Sequence, residues 1–202
     1  MLISNFNLQW VLLSAWYRSQ LLDLLVLGML STLGHSPIAF VKIFINVFFN
    51  LQFQVYQEFS QATDRCTTIK LRLYHVPSRR YRSVWYLQYA DWAEQNCPRD
   101  VNHFLGFLEE LSSVRLASTQ EVPPGHNTNP PVLLHCMEGG GRSGVTLTAD
   151  LLFYTLNHNE DLDISRVVGQ LRHQRDSIIP SLAQYKFIYN LLISYLKRSR
   201  LI

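Results

Sequence analysis

The chain has 202 residues, with 18 Lys+Arg against 15 Asp+Glu, for a formal net charge of +3. Hydrophobic residues make up 48% and charged residues 16%, which excludes a disordered chain. No long basic run occurs, and the tail Lys197, Arg198, Arg200 is short, so the charge gives no footing for nucleic-acid binding. The length suits one domain, or one domain with an appendage, able to bury a core without disulfides or a metal.

The front of the chain is different from the rest. Residues 1–50 carry only Arg18, Asp23 and Lys42 as charges. The start, Met-Leu-Ile-Ser-Asn-Phe-Asn, lacks the basic region and cleavage site of a secretory signal. The apolar stretches Leu21–Leu33 and Ile38–Phe53 both fall short of the ~20 uninterrupted apolar residues of a spanning helix. Three readings of residues 1–53 stay open: an interfacial or packed pair of amphipathic helices, a membrane insertion that Arg18 and Asp23 disfavour, or sequence foreign to the domain that follows. The expectation is an apolar, helical segment over 1–53 and a domain over 54–202.

Further along, Thr68–Tyr74 alternates Ile69, Leu71 and Leu73 with Lys70, Arg72 and Tyr74, the period of a strand. Val84–Tyr89 is aromatic and β-prone, and the Pro-containing His75–Tyr81 between them predicts a hairpin. Phe104, Phe107, Leu108 and Leu111 predict an amphipathic helix over Asp100–Ser113. Gln120–Pro131 is rich in Pro, Asn and Gly and reads as a loop. Val132–Leu134 reads as a short buried strand, Val145–Leu156 as a helix. Asp163 can cap a helix that buries Ile164, Val167, Val168 and Leu171. Pro180 ends that path, and Ser181-x-x-Gln184 is a capping-box pattern opening a last helix. Strands interleaved with helices predict an α/β or α+β domain.

Cys66, Cys97 and Cys136 are odd in number and widely spaced, which argues against a disulfide framework or a zinc knuckle and for a reducing setting. The strongest chemical signal surrounds the last of them: His135-Cys136-Met137-Glu138-Gly139-Gly140-Gly141-Arg142-Ser143-Gly144. It lies between a strand and a helix. Successive main-chain N–H groups of such a loop can converge on one anion, and the following helix adds its positive end. Arg142 can grip two phosphate oxygens. A thiol at the mouth of this positive site is favoured as thiolate, the nucleophilic form. The loop lacks the Lys of a Walker A sequence. The plainer alternative is a core cysteine at a strand end followed by a glycine turn.

His-Cys-x5-Arg-Ser-Gly resembles the signature of the cysteine-dependent protein-tyrosine phosphatases. Tyr89–Pro98 (YADWAEQNCP) resembles the mobile acid loop of that family, and Leu171–Arg175 and Gln184–Tyr189 resemble its closing helices and glutamine loop. The wording is similar to the non-receptor Pez/PTPD-like subfamily, whose members carry a FERM domain. The resemblance implies a partial protein-tyrosine-phosphatase fold, a central mixed twisted sheet flanked by helices. It also implies a two-step mechanism on phosphotyrosine in protein substrates. Cys136 would attack phosphorus, with Arg142 and the amides of Met137, Glu138, Gly139, Gly140, Gly141 and Arg142 holding the equatorial oxygens. Glu94 would serve as general acid and then base. Ser143 would hydrogen-bond the departing thiolate, Gln184 would help place the water, and Trp92 would hinge loop closure over the substrate. No cofactor and no metal is implied: His103, His126 and His135 have no ligand spacing. A cytoplasmic setting follows from the resemblance, with cytoskeletal or membrane association open and a membrane role for 1–53 not favoured.

The sequence departs from the family pattern in four places. Met137 and Glu138 stand where small neutral residues are usual. A carboxylate ~5 Å from the anion would oppose it by roughly 3 kcal/mol at an effective dielectric of 20, and an acidic residue here marks receptor-type pseudophosphatases. The acid loop reads Trp-Ala-Glu rather than Trp-Pro-Asp. Pro180 stands where the family has its first water-positioning Gln. No Lys-Asn-Arg-Tyr loop is found, and the expectation is a domain without its N-terminal part. Two functions therefore stand side by side: a weakened protein-tyrosine phosphatase, and an inactive pseudophosphatase that binds phosphotyrosine or acts as a scaffold.

Overall fold

The alternation around Ile69 does produce a strand, and the turn residues after it produce a hairpin. The computed structural model describes residues 25–28, 53–92, 97–122, 124–125, 132–136 and 139–200. Strand β3 runs Thr67–His75 and β4 runs Arg80–Gln88, joined at Val76–Arg79, where Arg79 takes a positive φ of 54°. They pair antiparallel, from Thr67 opposite Gln88 to His75 opposite Arg80. Ile69, Leu71 and Leu73 point to one face and are buried with Val84 and Tyr86, while Phe53, Val55 and Leu133 pack against them. On the other face Lys70 lies over the Trp85 ring and donates to Glu121 Oε1 at 2.8 Å.

Two strands were not foreseen. Strand β2, Phe53–Ala62, pairs antiparallel with β3 and carries a bulge between Gln57 and Phe59. Only Phe53 and Val55 turn inward, too short an apolar alternation to stand out beside seven exposed positions in a row, Tyr56–Ala62. Strand β1 is Leu25–Gly28, parallel to β4 with Leu25 opposite Trp85 and Gly28 opposite Gln88. This corrects the helical reading of the front segment at these residues. A short apolar run with a β-branched Val26 satisfies a strand as readily as a helix, and here main-chain pairing with β4 decides. It also carries a piece of the sheet across the boundary drawn at 54. The remainder of 1–52 lies outside the described residues. The strand order is β2-β3-β4-β1-β5, with β5 at Val132–His135. The pairing is mixed, as expected. The β5 side chains are half-buried rather than buried.

The chain divides into two compact units, residues 1–28, 33–88 and 111–133 in one, and 29–32, 89–110 and 134–202 in the other. The first holds the sheet core just described. The second is built on helices. Helix α1, Val101–Gln120, is longer than the sequence pattern required; its residues 101–110 belong to the second unit and 111–120 to the first. Its start is fixed by Asp100 Oδ1, which accepts from Asn102 N at 2.7 Å, and its Phe104, Phe107, Leu108 and Leu111 are all buried. Helix α2 is Arg142–Asn157, α3 is Ile164–Gln174 and α4 is Leu182–Arg198. The buried threonines of α2 return their hydroxyls to the helix, Thr146 to Arg142 O at 2.9 Å and Thr148 to Gly144 O at 2.8 Å, so they bury no unmatched donor. Asp163 caps α3 as predicted, accepting from Arg166 N, and that bond holds its carboxyl below the usual range. Phe153 stacks on Tyr195 at 4.1 Å, and Tyr195 Oη donates to Asn157 at 3.0 Å. Among the described residues no helix is long and apolar enough to cross a membrane.

The centre of the second unit is aromatic. Phe104 meets Trp92 at 5.2 Å, Tyr89 at 5.4 Å and Phe187 at 5.8 Å, edge to face in each case, the geometry ring quadrupoles prefer. Phe104 is wholly buried. Phe104→Ala should therefore destabilise the protein by about 3–5 kcal/mol, read as a lowered midpoint in urea unfolding.

Candidate active site

The chain leaves β5 at His135 and enters α2 at Arg142, and the turn between them is shaped by what packs beneath it. Gly140 is buried. A methyl group there would lie 2.2 Å from the Ser177 carbonyl oxygen, so only glycine allows the approach. The Gly140 carbonyl accepts from Ile179 N at 3.2 Å and from Gly144 N at 3.2 Å. It thus joins the loop to the turn at 175–179 and to the first turn of α2. Gly139 has φ +72°, in the left-handed region. That conformation goes with its N–H donating to Cys136 Sγ at 3.1 Å.

A second group meets the same sulfur. Ser143 Oγ lies 3.1 Å from Cys136 Sγ, and Ser143 is buried. Both contacts fix the position of the sulfur beside the start of α2. Gly141 is the residue before α2, and no side chain caps that helix. Its amide end, with no acidic residue in the first turn, is the kind of helix start that accepts an anion. Arg142 is buried at its first position.

Gln184 arrives from α4. Its N–H donates to Ser181 Oγ at 3.2 Å, so half of the capping box forms. Its side chain turns the other way, into the loop: a methyl group on Gly141 would lie 2.8 Å from Gln184 Nε2. Gln184 Oε1 is buried with no hydrogen-bond partner among the described residues, an arrangement in which a polar group is ready for a ligand or a water.

The structure thus brings Cys136, Gly139, Gly140, Gly141, Ser143 and Gln184 together, with Arg142 between Gly141 and Ser143. Trp92 sits in the aromatic cluster, 2% exposed. Glu94, Met137 and Glu138 lie outside the described residues. Sequence reasoning missed the turn under the loop. Arg172 Nε donates to Ile178 O at 3.1 Å and its Nη2 to Ile179 O at 2.7 Å, fixing the turn that docks on Gly140. Nothing local in Arg172–Ile179 announces this, because its partner is some forty residues away in sequence. All three cysteines are free thiols. Cys66 is buried, and burial pushes the Cys97 thiol up.

His135 adds a pH dependence. Its Nε2 is buried, and burial pushes its pKa from 6.5 down to about 4. It is neutral beside the loop at physiological pH. Between pH 6.5 and about 4 the unfolded chain takes up a proton that the folded chain refuses, so stability falls as pH falls through this window and levels below it. The slope contributed is at most about 1.4 kcal/mol per pH unit. Acid unfolding of His135→Gln should lack this component. Gly140→Ala should destabilise by about 1–3 kcal/mol, the range for overpacking, read by thermal melting.

Comparison with known proteins bears on this site directly. The protein-tyrosine phosphatase family model matches residues 39–194, beginning upstream of residue 54. The chain is 40% identical over 151 residues to tyrosine-protein phosphatase non-receptor type 14 of Homo sapiens, and 42% identical over 151 residues to non-receptor type 21 of Rattus norvegicus. Each comparison covers 75% of this chain and 13% of the relative, so the chain spans a small part of their length. It is 30% identical over 130 residues to tyrosine-protein phosphatase Lar of Drosophila melanogaster, covering 63% of this chain and 6% of that protein. The two non-receptor relatives agree with the Pez/PTPD-like resemblance, which the Glu94 loop, Phe104–Val114, Asn157–Glu160 and the ending Ser199–Ile202 carry in sequence. A match over most of the chain, with the Cys136–Arg142 loop inside it, leaves one conclusion: this chain belongs to the protein-tyrosine phosphatase family.

Proposed function

We propose that the chain hydrolyses phosphotyrosine in proteins through a cysteinyl-phosphate intermediate, at a reduced rate. One observation carries this reading. Gly139 N–H and Ser143 Oγ converge on the Cys136 sulfur at 3.1 Å each, at the uncapped start of α2. In the proposed first step the Cys136 thiolate forms a bond to phosphorus as the bond to the phenol oxygen breaks. Glu94 gives the phenolate its proton, and Arg142 holds the equatorial oxygens. In the second step water, oriented by Gln184, attacks the phosphorus and passes a proton to Glu94, while Ser143 hydrogen-bonds the leaving thiolate. The unpartnered Oε1 of Gln184 supports the water-placing role.

Glu138 and Pro180 are the reasons for a reduced rate. A carboxylate beside a dianion weakens binding, and Pro180 supplies neither donor nor amide side chain where a second water-holding group is usual. The same two residues favour a second reading, a module that binds phosphotyrosine without turnover. The non-receptor names of the relatives support an intracellular setting. Phosphotyrosine-containing proteins are the proposed partners.

The test is aryl phosphate hydrolysis and phosphotyrosyl-peptide binding by the full chain. Measurable turnover is expected, reduced at least ~1000-fold in Cys136→Ser, with kcat/KM raised about tenfold or more in Glu138→Ala. Peptide binding without turnover in either the wild-type chain or Glu138→Ala would overturn the enzyme reading in favour of the binding module.

A further inference from the structure

Among the described residues, Arg175 is a cation beside the loop that the proposed mechanism does not use. Arg175 follows α3, and its main chain is held at both ends: its N–H donates to Leu171 O at 2.9 Å, and its carbonyl accepts from Ile178 N at 3.1 Å. The residue is exposed to solvent, yet its guanidinium reaches the loop. A methyl group on Gly139 would lie 2.9 Å from Arg175 Nη2, 3.2 Å from Cζ and 3.5 Å from Nη1. All three guanidinium atoms therefore rest against the face of Gly139 that a side chain would occupy. Gly139 is the residue whose N–H reaches Cys136 Sγ.

We propose that Arg175 is a positioning residue of the cysteine loop: its guanidinium backs Gly139 in the left-handed conformation and so keeps the Gly139 N–H on the Cys136 sulfur. The loop needs such a support. Gly139 is free of the steric limits that would hold any other residue, and unsupported it would sample many conformations in which its N–H points elsewhere. The neighbouring groups leave this task to Arg175. Gly140 is held from below by Ile179 and Ser177, and Gly141 meets Gln184. His135 is neutral, and Arg142 is buried at the start of α2. The carboxylate of Asp176, next in the chain, is exposed to solvent.

The inference builds on the reading of Cys136 as a nucleophile, but its test requires no turnover. Iodoacetamide alkylation of the full chain at fixed pH, followed on the Cys136 peptide by mass spectrometry, reads the state of that thiol alone. Arg175→Met should slow alkylation of Cys136 at least about threefold, the expected scale for losing one oriented donor and a nearby cation. Arg175→Lys, which keeps the cation, should be at least about twofold faster than Arg175→Met. A smaller slowing in the Met variant, or equal rates for Met and Lys, would overturn the proposal. Gly139→Ala gives a second reading that survives any difficulty with one variant. Its methyl group meets the guanidinium in the wild-type chain and nothing comparable in an Arg175→Met background. The two substitutions should therefore be non-additive in alkylation rate, and strict additivity would overturn the contact. Absence of aryl phosphate turnover beside normal alkylation counts against the phosphatase reading only.

Discussion

The contact between Gly140 and the turn at Ser177–Ile179 is the constraint on which the candidate site depends. The Ile179 N–H and the Gly140 carbonyl join two segments that approach so closely that no side chain fits between them. Remove that contact and the loop loses its floor. Gly139 would then have no fixed plane from which to aim its N–H, and α2 would lose one of the bonds at its start. The rest of the second unit can be seen as support for this contact. Arg172 fixes the turn from α3, Gln184 closes the loop from α4, and the Trp92–Phe104–Phe187 cluster packs α4 against α1.

Burial and hydrogen bonding divide the work around the sulfur. His135 and Cys136 are neighbours in sequence and opposites in chemistry. Burial holds the imidazole neutral, whereas the Cys136 sulfur accepts from the Gly139 N–H and lies 3.1 Å from the Ser143 hydroxyl. The other two thiols sit differently: Cys66 Sγ has a long contact of 3.8 Å with Thr68 Oγ1, and desolvation raises the Cys97 thiol. Three thiols of one chain thus occupy different electrostatic surroundings.

What could be read from the sequence follows the range of the interactions involved. The cysteine loop was legible because Cys136, the three glycines, Arg142 and Ser143 act within eight residues of one another. The caps Asp163 and Ser181 were legible for the same reason, and so was the β3 alternation. Gln184 was legible as a site residue through the family pattern, though its local pattern pointed to a reciprocal cap that only half forms. Strand β1 was missed because Leu25–Gly28 has no periodicity of its own and takes its conformation from β4. Strand β2 was missed because it buries so little. The turn at 175–179 was missed because its shape is set by Gly140, Arg172 and the loop together, none of which a local reading of the turn can see.

Ile179 shows what this dependence means for assembly. It has φ +53°, a region that costs a β-branched residue of order 1–3 kcal/mol, and its side chain is fully buried. The isolated turn has no reason to adopt this shape. It is held by the Arg172 guanidinium, the Gly140 carbonyl and the surrounding core, all of which belong to the finished structure. The floor of the cysteine loop is therefore held only where the turn, Arg172 of α3 and the Gly140 carbonyl are all in place. A chain that has its helices but has not yet bent at Ile179 carries every residue of the site in sequence and has no anion cradle.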